Sequence, residues 1–94
     1  MEVYIIKCKD PKHYYVGITS NLEKRLEAHK TGEGSRFIQV HGFDKLIHSE
    51  SLENVKEAKY REKQLTLQYM KLFGFDNVAG AGFSQTIKNY KKNF

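Results

Sequence analysis

Along the first eighteen residues the chain alternates between apolar and polar positions, broken by one sharp polar stretch. EVYIIK (2–7) is β-branched or aromatic through its middle, DPK (10–12) is a turn signal containing proline, and HYYVGI (13–18) is a second extended run. Two such runs around a short turn predict an antiparallel β-hairpin. The period then lengthens. Ser20 and Glu23 have capping-box spacing, and the segment after them has helical periodicity as far as Gly32 or Gly34, which predicts a first helix over about residues 21–31.

SRFIQVH (35–41), closed by Gly42, is compatible with a short helical turn, and FDKLIHSE (43–50) with a third strand. Ser51 is placed to cap a long helix, LENVKEAKYREKQLTLQYMKLF, which Gly74 ends. NVAGAGFS (77–84) reads as a glycine-rich loop with no phosphate-loop pattern, since no Gly-Lys-Ser/Thr follows it. The basic segment QTIKNYKKNF is either a short helix or a frayed end. The order ββαβα predicts the α+β class, with a small three-stranded antiparallel sheet flanked by helices. A chain of 94 residues encloses one modest core, so residues 1–94 form one domain, with its core over about 2–84 and a basic tail at 85–94.

Composition narrows the classes of function. Cys8 is the only cysteine, so neither an internal disulfide nor a cysteine zinc cluster can form, and the four histidines show no paired metal-ligand spacing. No run of about 18 apolar residues and no signal-peptide pattern is present, so a soluble, cytoplasmic protein without a membrane partner is expected. Sixteen Lys and Arg against eleven Asp and Glu leave a net charge of +5, which suits a partner carrying phosphates.

One charge sits on the wrong face of its helix. At about 100° per residue, Val55, Ala58, Leu65, Tyr69, Leu72 and Phe73 form the inward side of the long helix, and Glu62 falls near the middle of that side. A buried carboxylate needs a cation, a metal or hydrogen-bond donors; the bland alternative is that Glu62 reaches water at the rim or pairs with a structural arginine. On the first helix, Leu22, Leu26 and His29 form the inward stripe, and Arg25 borders it. If both helices pack on one small sheet, Arg25, His29 and Glu62 can meet at its edge.

These residues match a known family. The chain resembles the GIY-YIG nuclease domain over about residues 2–84. The first motif stands here as EVY, retaining Tyr4, and the second as YVG, with Tyr15 and Gly17; the eleven-residue step between the tyrosines suits the family's hairpin. Arg25 stands where the family's phosphate-contacting arginine stands, His29 matches a histidine of some members, Glu62 matches the metal-binding glutamate, and Asn77 the late asparagine. Two departures are visible: Glu2 replaces the first motif's glycine, and VAGAG replaces a more basic segment of some relatives.

The resemblance implies a metal-dependent DNA endonuclease. Two-metal nucleases need several carboxylates, and one suitably placed carboxylate points to one ion, Mg²⁺ or Mn²⁺, at Glu62, because Mg²⁺ keeps most of its waters. Arg25 would hold the scissile phosphate, and the general base would be Tyr4 or Tyr15, with Tyr4 preferred and Tyr15 bonded to the water or phosphate. His29 would orient a tyrosine or touch the phosphate, and Asn77 would brace the site. Gly17 would leave room for whatever occupies it. Tyr14 faces away from Tyr15 by strand alternation. Lys24 and Arg36 are candidates for flanking phosphates, with solvated surface charge as the alternative. Family members usually borrow sequence recognition, which implies a DNA-targeting domain or partner subunit outside this domain. The competing expectation is a non-catalytic nucleic-acid-binding module that keeps the fold.

Overall fold

A computed structural model describes residues 1–81. Two strands, β1 (Glu2–Cys8) and β2 (Tyr14–Thr19), form the expected antiparallel hairpin, with Tyr4 opposite Gly17 and Ile6 opposite Tyr15. Helix α1 (Leu22–Lys30) and the short helix α2 (Arg36–His41) follow, and β3 (Phe43–Ser51) returns antiparallel on the other side of β1. Helix α3 (Val55–Phe73) ends at Gly74, whose φ of 105° is open to glycine and strained for other residues.

The α+β architecture and the ββαβα order expected from the sequence are observed, with one addition. The glycine-rich stretch contains a two-residue strand, β4 (Val78–Ala79), parallel to β2, so among the described residues the sheet has four strands in the order β3-β1-β2-β4. A strand this short leaves no alternation to detect. Residues 82–84 of that stretch and the tail 85–94 lie outside the described residues.

Both helix caps fall later than the serines suggested. Asn21 caps α1 by accepting from the Lys24 amide at 3.1 Å, while the Thr19 hydroxyl accepts from the Asn21 amide. Asn54 caps α3 through the Glu57 amide at 2.9 Å, because Ser51 is still in the sheet opposite Glu2. Asparagine caps as well as serine does, and strand pairing decides which is free to do so.

β1 is buried on both faces, and its alternation sorts two apolar layers. Val3 and Ile5 join Val16, Ala58 and Leu65 beneath α3, whereas Tyr4, Ile6 and Cys8 join Ile38 beneath α1 and α2, with Tyr15, Leu22 and Leu26 against them. Tyr14 lies on the α3 side, its ring 4.5 Å from Phe73 and 5.2 Å from Tyr69, opposite to Tyr15 as expected. The buried face of α3 is rotated from the expected one: Ala58 and Leu65 are buried as expected, but so are Thr66 and Met70, while Val55 and Leu72 are 45% and 64% exposed. Contacts with β4 and the turn before it draw the helix toward the Thr66 side. Among the described residues no helix is long and apolar enough to cross a membrane.

Candidate active site

Tyr4 enters from the central strand, 0% exposed, and its hydroxyl lies 2.8 Å from His29 Nε2 on α1. The Tyr15 ring, on β2, is 5.3 Å from His29 and 6.3 Å from Tyr4, so two phenols and an imidazole share one packed cluster. Gly17 makes that cluster possible. A Cβ there would stand 2.5 Å from the Tyr4 hydroxyl oxygen and 3.0 Å from Tyr15 Cε2, so the room it leaves is filled by Tyr4 itself.

Arg25 stands one turn before His29, half-buried, and its charge reaches all three rings. Burial, reinforced by Arg25, pulls the His29 imidazole down to about 4, so it is neutral at physiological pH. Burial pushes both phenols above the ordinary tyrosine range; the charge of Glu62 adds to this at each, and Arg25 opposes it. The tyrosines therefore sense a cation from α1 and an anion from α3, helices that pack on opposite faces of the sheet.

Glu62 is half-buried, and burial raises its carboxyl. Its charged form is helped by the Ala81 backbone N–H and by the charge of Lys59. Among the described residues no ion pair closes on it. Nor do any three His, Cys, Asp or Glu side chains among them group as a metal cage. A desolvated carboxylate with no ion pair among the described residues fits an oxygen-seeking cation that keeps waters and takes phosphate oxygens for its other positions.

The remaining expected residues are spread more widely. Asn77 donates from Nδ2 to the Phe73 carbonyl at 2.7 Å, tying off the end of α3. Lys24 is exposed and shares a groove with Thr19, Ser20, Asn21, Arg25 and Ala28. Arg36 opens α2 and is exposed.

Sequence reasoning missed three contributors. The Ser35 hydroxyl caps α2 and bonds Tyr15, Gly34 packs against His29, and Gly80 wedges between Thr66 and the Val16 carbonyl, delivering Ala81 to Glu62. The Gly-Glu-Gly-Ser run after α1 carried a signal for the first two: a cap residue behind paired glycines.

Comparison with known proteins identifies the family. The model of the GIY-YIG catalytic domain matches residues 1–75, which includes Tyr4, Tyr15, Gly17, Arg25, His29 and Glu62 and stops short of Asn77. UPF0213 protein CPE1444 of Clostridium perfringens is 48% identical over 89 residues, covering 90% of this chain and 95% of the relative. UPF0213 protein OB0043 of Oceanobacillus iheyensis is 38% identical over 77 residues, 78% of this chain and 88% of the relative, and UPF0213 protein YazA of Bacillus subtilis is 36% identical over 73 residues, 74% and 73% respectively. No solved structure matches the chain significantly. With the matched domain spanning both helices and the hairpin that build the cluster, the chain belongs to the GIY-YIG catalytic domain family.

Proposed function

We propose that the site binds a phosphodiester of nucleic acid and hydrolyses it, with DNA as substrate and one Mg²⁺ or Mn²⁺ at Glu62. The observation that carries this is the mutual electrostatic reach of Tyr4, Tyr15, Arg25 and Glu62 around a neutral His29. Packing alone explains the rings; it gives no reason to desolvate a carboxylate whose charge reaches both phenols and which has no ion pair among the described residues.

Arg25 holds the scissile phosphate, its planar donors matching two non-bridging oxygens. Tyr15 is the partly open phenol, and Tyr4 is sealed, which supports Tyr15 as the base in preference to Tyr4. Tyr15 acts as the phenolate, its own proton first lost to solvent. As the water oxygen bonds to phosphorus, the water's proton passes to the Tyr15 oxygen and restores the phenol; the bond from phosphorus to the 3′ oxygen breaks, and that oxygen takes a proton from solvent. Glu62 would hold a divalent ion, which when bound would supply Lewis-acid stabilisation of the phosphate and offset the carboxylate charge that opposes a phenolate. Tyr4 and His29 fix the Tyr15 ring, Asn77 braces α3, and Lys24 and Arg36 meet flanking phosphates.

A second reading, a nucleic-acid-binding module without hydrolysis, has support of its own. Both phenols are pushed upward, Glu2 occupies the first motif's glycine position, and the relatives' names state no activity. Single-stranded, duplex and branched DNA, each with Mg²⁺ or EDTA, separate the two. Cleavage lost with EDTA and in Glu62→Ala and Arg25→Ala supports hydrolysis; metal-independent binding with a steep salt slope and no cleavage supports the module.

A further inference from the structure

Glycine at position 34 is not required by its backbone. Gly32, Gly42 and Gly74 have φ of 84°, 82° and 105°, values that disfavour other residues, whereas Gly34 is not among the positive-φ glycines. Its requirement is space. A Cβ on Gly34 would stand 2.3 Å from His29 Nδ1, 2.7 Å from Cε1 and 3.0 Å from Cγ. The two flanking atoms are barely farther than Nδ1, so the contact falls on the face of the ring. His29 is 1% exposed, and Nδ1 has no hydrogen-bond partner among the described residues. Among the described residues the ring is thus tethered at one nitrogen, by Tyr4, and no hydrogen bond at the other nitrogen sets its tilt.

We propose that Gly34 is a positioning residue: its backbone, laid across the His29 ring, fixes the tilt that brings Nε2 to the Tyr4 hydroxyl. Ser35, the next residue, bonds Tyr15, so the α1–α2 turn holds His29 and Tyr15 through consecutive residues. A side chain at position 34 must push the imidazole away, because the ring atoms it meets belong to a buried residue packed against Tyr4 and Tyr15. The turn thereby sets the tyrosine cluster without touching substrate. The consequence for rate rests on the proposed hydrolysis; the effect on the ring does not.

Gly34→Ala tests this, alone and in a His29→Ala background that vacates the space a Cβ needs. Imidazole NMR, thermal unfolding and cleavage kinetics are the readouts. Gly34→Ala is expected to move the His29 ring signals, lower the melting temperature, and cut kcat by about 100-fold with KM nearly unchanged, as a misplacement of about 1 Å does. In the His29→Ala background the same substitution is expected to change neither stability nor rate. Unmoved His29 signals, or equal losses in both backgrounds, overturn the proposal. If Gly34→Ala does not fold, recovery of folding in the double variant supports the proposal and failure to recover overturns it. Moved signals in a protein whose wild type cuts no DNA leave the positioning role standing and overturn the hydrolysis reading alone.

Discussion

The Tyr4 hydroxyl lies 2.8 Å from His29 Nε2, and both residues are closed to solvent, Tyr4 at 0% and His29 at 1% exposure. This is a polar tie inside an otherwise apolar layer, joining the central strand to α1. A buried phenol and a buried imidazole each need a partner, and this hydrogen bond serves the Tyr4 hydroxyl and His29 Nε2 together. It also couples the fold to the site, since the ring that satisfies Tyr4 is the one Tyr15 packs against.

That coupling predicts an acid-sensitive stability. The His29 imidazole is pulled from its ordinary 6.5 to about 4 in the folded state, so between those values the unfolded chain binds a proton the folded chain does not. Its contribution is complete above pH 6.5 and is lost as pH falls toward 4, by roughly 2 kcal/mol. Urea unfolding at several pH values in that window measures the slope. His29→Asn should flatten it relative to wild type, and an unchanged slope would contradict the assignment.

Glu62 gives the opposite sign. Its carboxyl is raised by burial, so the unfolded chain ionises first and stability falls as pH rises through the carboxylate range. Glu62→Gln should therefore leave the fold as stable as wild type or up to about 1 kcal/mol more stable at neutral pH, while losing cleavage by at least about 100-fold. Mg²⁺ should raise the melting temperature of wild type and leave that of Glu62→Gln unmoved. Equal Mg²⁺ shifts in the two proteins would place the ion elsewhere.

Much of this was legible in the sequence because it rests on period. The hairpin, both long helices and the inward stripe of Leu22, Leu26 and His29 follow from alternation and helical spacing, and the desolvation of Glu62 follows from its angle on α3. What escaped depends on contacts between distant segments. β4 exists because Gly80 lets the chain press against the Val16 carbonyl, and two residues carry no period. Asn54 displaced Ser51 as the cap of α3 because strand pairing holds Ser51, a fact of the sheet, and Asn21 caps α1 one residue after Ser20. Gly34 reads as a loop glycine until the ring beneath it is known.

Gly17 tests the crowding of the tyrosines directly. A Cβ there meets Tyr4 Cζ at 2.6 Å as well as the hydroxyl oxygen at 2.5 Å, so Gly17→Ala should destabilise by about 1–3 kcal/mol, the usual range for overpacking. Tyr4→Phe in the same background should not restore the loss, because Cζ remains. Melting temperatures of wild type and the two variants decide it; a rescue by Tyr4→Phe would mean that the hydroxyl alone is crowded.

Ala81 lies at the other end of the site, and its conformation sets it apart. Its φ of 49° is left-handed, which costs a residue with a Cβ about 1 kcal/mol, and its N–H bonds the Glu62 carboxylate. The chain cannot relax by moving back. A Cβ on Gly80 would already stand 2.5 Å from Thr66 Oγ1 and 2.8 Å from the Val16 carbonyl, so the segment is held between β2 and α3. Ala81→Gly keeps the N–H and removes the strain, but it adds freedom to the unfolded chain; the net should be a gain of up to about 0.5 kcal/mol with cleavage unchanged. Ala81→Pro cannot adopt a positive φ and has no N–H, so it should destabilise the protein and raise the Glu62 carboxyl further, since the donor that favours its charged form is gone. Carboxyl NMR titration of Glu62 in the two variants reads that difference. Equal titration curves would mean that the Ala81 amide does not hold the carboxylate, and that the left-handed residue serves only the turn after β4.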